Sequence, residues 1–239
     1  MSLHIYPDED TLIHAYAAYL TRHIGEAIVR KGSCNLVLVG GNSPKRVYQL
    51  LTKPPYRNAV AWDKVYFFFG DERYVPSDHD RNNARMAQEI LLQPLGIDPR
   101  KIFRMDTSLP PEETANRYAL QIETHFKGTS PSFDLILLGL GDNAHTASLF
   151  PGSSVLSTLE PTVLSLYVPE EQEFRITMSA PLINQAQRVS FLVFGVAKAL
   201  AVHQVIEGDP DIMKYPAQLI QPIHHPVDWY LDTPAAALL

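Results

Sequence analysis

The sequence predicts an α/β fold, a three-layer sandwich built around a mainly parallel sheet. Three observations carry this. Short, nearly continuous apolar runs recur along the chain, several of them end in glycine, and stretches with helical spacing lie between most of them. From Asp10 onward Leu12, Ala15, Tyr19, His23, Ala27 and Ile28 repeat near the helical period, which gives an amphipathic helix ending by Gly32. Buried strands are expected at 36–39, 65–69, 135–138, 164–168 and 189–194, and helices at 83–92, at 112–126 behind Ser108-Leu-Pro-Pro, and at 197–206. After the first strand Ser43 is placed to cap a helix whose first residue is Pro44. The prolines gather in connections such as Pro54-Pro55 and Pro110-Pro111, where a fixed φ helps and a missing N–H does no harm. No internal repeat or low-complexity linker divides residues 1–239, so one domain is expected.

Composition narrows the function classes. A formal net charge of −6 argues against a nucleic-acid surface, because duplex binding needs clustered cations, yet it leaves room for a small anion met by a few local Arg and Lys. No apolar stretch approaches the ~20 residues needed to span a bilayer, and the opening residues lack a basic segment followed by an apolar run. A soluble, unprocessed cytoplasmic protein without membrane association is expected. The lone cysteine, Cys34, has no internal partner and adjoins a strand, which predicts a buried thiol.

In such sheets ligands gather beyond the carboxyl ends of the strands, so the loops there come first. Gly40-Gly41-Asn42-Ser43-Pro44-Lys45 is a strand, glycine turn and helix start, where free N–H groups suit a phosphate; the bland alternative is a tight turn. Gly70-Asp71-Glu72-Arg73 sets a dense group of charges at the end of an almost wholly apolar strand. Asp71 or Glu72 can position a hydroxyl and Arg73 can stabilise negative charge; a solvated turn is the bland alternative. Gly139-Leu140-Gly141-Asp142-Asn143-Ala144-His145-Thr146 also fits a G-x-G-x-x-A dinucleotide pattern. That pattern normally opens a βαβ unit with an acid ~20 residues on. Here it lies in mid-chain, with Glu170 and Glu171 too far along, so nicotinamide binding is disfavoured. His145 near an expected helix start would stay neutral, ready to accept a proton. Lys198, in the first turn of a helix where cations are unfavourable, either points to solvent or meets an anion, and Arg175 offers a planar fork for the same anion.

Taken in order, these segments resemble the 6-phosphogluconolactonase family over residues 5–238. The family pattern runs Gly-Gly-Ser-Thr-Pro-Lys, Asp-Glu-Arg-x-Val-Pro with a downstream Ser-Asn, Asp-Gly-His-Thr-Ala-Ser-Leu-Phe-Pro, Arg-x-Thr and Gly-x-x-Lys. Residues 215–219 and 229–232 are similar to the family's end. Glucosamine-6-phosphate deaminases share the superfamily, but their histidine is followed by a sequence near Ile-Ala-Phe-Asn-Glu-Pro. Here Thr146-Ala147-Ser148-Leu149-Phe150-Pro151 stands in that place, and Arg73 follows Asp71-Glu72 where deaminases carry Tyr.

The resemblance implies a sugar-phosphate isomerase/deaminase-like, modified Rossmann fold that hydrolyses 6-phospho-D-glucono-1,5-lactone without metal or organic cofactor, as a monomer or homodimer. It implies that His145 is the general base, that Arg73 stabilises the oxyanion and that Asp71 orients hydroxyls. Gly41, Asn42, Ser43, Arg175 and Lys198 would hold the phosphate. Asn143 and Ala144 replace the family's Asp-Gly before the histidine: an amide keeps a hydrogen bond to the imidazole but loses the charge, and if the glycine needs a positive φ, alanine either costs about 1 kcal/mol there or sends the loop along another path that moves His145. Asp142 is a candidate replacement carboxylate, and Asn42-Ser43 and Asn82 are mild changes. A weakened or non-catalytic sugar-phosphate-binding protein, or a deaminase-like isomerase, are the alternatives.

Overall fold

The chain opens on a strand, β1 (Ser2–Tyr6), and enters its longest helix, α1 (Glu9–Lys31), through Asp8, whose carboxylate accepts from the Thr11 amide at 2.7 Å. The computed structural model describes residues 1–239. α1 ends at Gly32, which takes φ +84° and donates its N–H to the Ile28 carbonyl, a left-handed cap that glycine adopts without a Cβ penalty. Then follow β2 (Cys34–Leu38), α2 (Ser43–Leu51), β3 (Val65–Phe69), β4 (Asp71–Arg73) and α3 (Asn83–Ala87), which continues through a π-helical turn, Gln88–Leu92, into α4 (Gln93–Leu95). After α5 (Pro111–His125) come β5 (Leu135–Leu138), β6 (Val163–Val168), β7 (Glu173–Met178), α6 (Ala180–Asn184), β8 (Val189–Val193), α7 (Ala199–Ile206) and β9 (Asp228–Asp232).

Six strands form an all-parallel sheet in the order β1-β9-β8-β5-β2-β3. Every residue of β2, β5, β8 and β9 is buried, the pattern of a sheet covered on both faces, and the α/β three-layer expectation holds. Two strands absent from the sequence reading, β1 and β9, extend it at one edge. β9 begins and ends in aspartate, which hid it. Asp228 is buried against the Tyr19 hydroxyl at 3.0 Å, and Asp232 accepts from the Gly195 and Ala235 amides.

The expected strand at 164–168 is present but does not belong to this sheet. β6 pairs antiparallel with β7, which pairs antiparallel with β4, in a separate three-stranded sheet. The short turn between β6 and β7 permits only antiparallel pairing, and β6 leaves Tyr167 exposed, so its apolar run is covered on one side only.

Strand order fixes where the site lies. From β2 the chain steps to β3 on one side and later to β5 on the other, so the loops after β2 and β5 flank the point where the winding reverses. Two buried tyrosines finish the strands at this end. The Tyr48 hydroxyl accepts from the Val39 N–H at 3.1 Å and donates to the Val39 carbonyl at 2.8 Å, and the Tyr118 hydroxyl accepts from the Phe69 N–H at 2.8 Å. Glu72 then anchors the loop beyond β3. Its carboxylate, 1% exposed, accepts from the N–H groups of Arg73, Asn83 and Ala84 at 2.9, 2.7 and 2.9 Å. Burial pushes its carboxyl up to about 7, against the pull of those three amides.

Glu72→Ala leaves those amide donors without partners in the interior. It is expected to lower the unfolding free energy by about 3 kcal/mol, read by chemical denaturation; a loss below about 1 kcal/mol would show that water replaces the carboxylate.

Candidate active site

The loops beyond β2, β3, β5 and β8 enclose a cleft of about 550 Å³. In the first loop a Cβ on Gly40 would lie 1.9 Å from Asn83 Oδ1, so this position must be glycine for the loop to lie against α3. Gly41 takes φ +93°. The expected Ser43 cap is not formed: Ser43 is the first residue of α2, Asn42 stands at the cap with φ −82° and ψ −32°, and no side chain accepts a helix amide. A cap needs an extended backbone, which Asn42 lacks. No backbone carbonyl accepts from the N–H groups of Gly40, Gly41, Asn42 or Ser43. The loop therefore keeps donors that an anion can take.

The loop after β5 is a closed turn. Gly141 donates to the His145 carbonyl at 2.8 Å, Ala144 to the Gly141 carbonyl at 2.9 Å, and the Thr146 hydroxyl to the Gly139 carbonyl at 2.8 Å. Ala144 sits at φ +60°, is buried, and accepts from the Ala217 N–H at 3.0 Å. Asn143 Oδ1 accepts the backbone N–H of His145 at 3.2 Å and lies 2.6 Å from its Nδ1. An amide N–H₂ cannot accept a backbone N–H, so the atom facing Nδ1 is oxygen, and Nδ1 carries the ring proton. The free lone pair is on Nε2. Asn143 does not line the cleft and reaches it only through His145.

Two contacts hold the ring. A Cβ on Gly141 would lie 2.1 Å from Nδ1, so only glycine leaves room there, and Phe150 stacks on the imidazole at 4.3 Å between centroids. No helix starts at His145, contrary to expectation; the chain turns through Ala147 at φ +47° instead. Burial, not a helix dipole, lowers its pKa to about 4; Asp71 pulls it up, while Lys198 and Arg175 push it further down.

Charges line the remaining walls. Asp71 Oδ2 accepts from the Ser148 hydroxyl at 2.7 Å, whereas Glu72 is turned into the interior, so of the two acids only Asp71 faces the cleft. The β4–β7 register sets Arg73 directly across from Arg175, and like charges in that position repel unless an anion lies between them. Arg175 is buried, with Nη2 3.3 Å from Glu171 Oε2, and its Nε and Nη1 have no hydrogen-bond partner. Arg73 Nη1 donates to the Arg81 carbonyl at 2.9 Å, and the Arg81 guanidinium pairs with Glu173. Lys198 Nζ lies 2.5 Å from Asp142, which therefore faces the lysine and not His145. Four cationic side chains against two carboxylates make the cleft positive within an acidic chain, the signature of an anionic ligand. No group of three or more His, Cys, Asp or Glu side chains is gathered closely enough to hold a metal.

Gly41, Asn42, Ser43, Asp71, Arg73, His145, Arg175 and Lys198 thus share one cleft. Sequence reasoning gave no role to Ser148 and Phe150, although both stand in the string after His145; it passed over Arg81 and Asn83, and weighed Glu171 only as the acid of a dinucleotide site. Asn83 opens a helix two residues after Arg81, and Glu171 sits in a turn, positions where polar residues are ordinary.

Residues 7–229 match the family described as glucosamine-6-phosphate isomerases/6-phosphogluconolactonase. The chain is similar to a protein named 6-phosphogluconolactonase from Synechocystis sp., at 39% identity over 95% of this chain and 94% of that one. It is 34% identical, over 100% of its length and 98% of the relative's, to a protein of the same name from Nostoc sp.. Among solved structures, 6-phosphogluconolactonase from Trypanosoma cruzi matches 100% of this chain and 96% of its own, with a TM-score of 0.89 at 25% identity.

Gly141→Ala places a methyl group on Nδ1 of His145. Activity is expected to fall by at least about tenfold with little change in melting temperature, since a displacement near 1 Å can cost on the order of 10²-fold; undiminished activity would mean that the ring is not held where the chemistry needs it.

Proposed function

The chain belongs to the glucosamine-6-phosphate isomerase/6-phosphogluconolactonase family, and we propose that it hydrolyses 6-phospho-D-glucono-1,5-lactone to 6-phosphogluconate, the lactonase step of the oxidative pentose phosphate pathway, with His145 as general base. The observation that carries the role of His145 is its fixed tautomer: Nδ1–H is engaged by Asn143, which leaves Nε2 as the free basic atom of the ring in a cationic cleft.

The steps follow from that arrangement. Nε2 takes a proton from water as the water oxygen attacks C1 of the lactone, a contribution of about 10²- to 10⁴-fold. Arg73 stabilises the oxyanion that develops on the carbonyl oxygen. The C1–ring oxygen bond then breaks, and the imidazolium returns its proton to the departing oxygen, which becomes the 5-hydroxyl of the product. Gly41, Asn42 and Ser43, with Arg175 and Lys198, hold the 6-phosphate and so fix C1 near the base. Asp71, one oxygen held by Ser148, offers the other to sugar hydroxyls. A bound phosphate dianion also offsets the two cations that depress His145, raising its basicity when substrate is present.

Asn143 shapes the rate. Its oxygen orients the ring as a carboxylate would, but it brings no charge to steady the imidazolium, which favours a second reading, a member of the family with reduced activity. Ala144 bears the left-handed conformation that glycine would adopt freely, at about 1 kcal/mol, and the turn keeps its closed path. All these residues come from one chain, so residues 1–239 act as one catalytic unit whether as monomer or homodimer. The unpaired, buried Cys34 supports placing the reaction in the cytoplasm. No helix is long and apolar enough to cross a membrane.

In a lactone-consumption assay corrected for spontaneous hydrolysis, His145→Ala is expected to lose about 10²- to 10⁴-fold in kcat. Loss of less than about tenfold removes His145 from the role of base. Because its pKa is lowered to about 4, His145 is neutral at physiological pH; below the limb near pH ~6 set by the substrate's own phosphate, kcat/KM should show the limb of His145 itself as pH drops through about 4. Asn143→Asp puts a carboxylate against Nδ1, stabilises the imidazolium, and is expected to move that acid limb to higher pH while raising the neutral rate; an unmoved limb contradicts the assignment.

A further inference from the structure

The two cations assigned to the phosphate each face a carboxylate. Lys198 Nζ lies 2.5 Å from Asp142 Oδ1, and Arg175 Nη2 lies 3.3 Å from Glu171 Oε2. Cation and anion differ in how firmly they are held. The side chains of Arg175 and Lys198 are 7% and 27% exposed, whereas those of Glu171 and Asp142 are 46% and 70% exposed. Neither carboxylate makes a second ion pair. Both stand in turns: Asp142 within the closed loop of His145, and Glu171 beside Gln172, which takes φ +51° between β6 and β7. Glu173 is the contrast. It too lies near Arg175, at 3.7 Å, but its side chain is 8% exposed and Arg81 holds its other oxygen, so it is a fixed counterion of the buried guanidinium.

An exposed carboxylate with a single ion-pair partner recovers its hydration on leaving, so displacing it costs little. A dianion that bridges two partly desolvated cations gains more, because the groups it meets are already oriented and screened from water. We infer that Asp142 and Glu171 are displaceable counterions of the phosphate pocket: they hold Lys198 and Arg175 in position, give way to the phosphate, and retake the cations as product leaves. The inference rests on the reading of Lys198 and Arg175 as phosphate ligands. It makes both acids competitors of the substrate, so that removing their charge strengthens binding, whereas a supporting role would have removal weaken it.

The test is calorimetric titration of inorganic phosphate, at mildly alkaline pH where it is a dianion, into wild type, Asp142→Asn, Glu171→Gln and Lys198→Gln, and into Lys198→Gln combined with Asp142→Asn. Each acid-to-amide change is expected to tighten phosphate binding about two- to fivefold, the scale of one exposed ion pair. In the lactone assay each should lower KM more than it changes kcat. Asp142→Asn should have no effect once Lys198 is Gln, because its competitor's cation is gone. Equal or weaker phosphate binding by the two amide variants, with melting temperatures unchanged, overturns the inference and leaves lactone hydrolysis standing. Absence of phosphate binding in wild type and variants alike overturns it together with the phosphate-pocket assignment. Tightening that persists at Asp142→Asn in the Lys198→Gln background assigns the effect to general charge and also overturns it.

Discussion

The hydrogen bond between Asn143 Oδ1 and Nδ1 of His145, 2.6 Å long, is the constraint on which the rest of the site depends. It selects one of two tautomers of a neutral imidazole, and only that tautomer leaves Nε2 able to accept a proton. The bond exists because the chain turns back on itself between Gly141 and His145, which requires Ala144 at a positive φ and bare Cα atoms where the ring passes Gly141. Phe150 then closes one face of the imidazole. Asn143, which does not line the cleft, thereby decides which nitrogen of His145 faces it.

Around this fixed imidazole the fold arranges charge. The reversal of winding between β2 and β5 brings the glycine loop and the histidine loop side by side, and the small antiparallel sheet brings Arg73 and Arg175 across from each other at the same mouth. Two like charges in register weaken a sheet on their own. They are supported here by Glu171 and Glu173 beside Arg175, by the Arg81 carbonyl on Arg73, and by Glu72, which pins the connection from β4 into α3. The same cations that attract an anion lower the basicity of His145, so ligand binding and basicity are coupled through one set of charges.

Much of this was legible in the sequence because the signals were local. Buried parallel strands announce themselves as short apolar runs, and β2, β3, β5 and β8 were readable for that reason. β9 was not, because its aspartates are paid for by partners distant in sequence, Tyr19 and Gly195. The placement of β6 was wrong because an apolar run reports burial and not the strand it pairs with. In the site, residue types at loop starts pointed to the right loops, but the division of labour between Asp71 and Glu72 depended on which one faces inward, and alternation along a three-residue strand is too short to read. The low basicity of His145 has a different cause from the one its sequence position suggests: burial, and not a helix start, produces the effect.

The tautomer of His145 is tested most directly by the ¹⁵N spectrum of its imidazole, assigned by comparison with His145→Gln. The bond from Asn143 and the burial of the ring predict a neutral imidazole at physiological pH with the proton on Nδ1, titrating only near pH 4. A proton on Nε2, or an imidazolium at neutral pH, would contradict it.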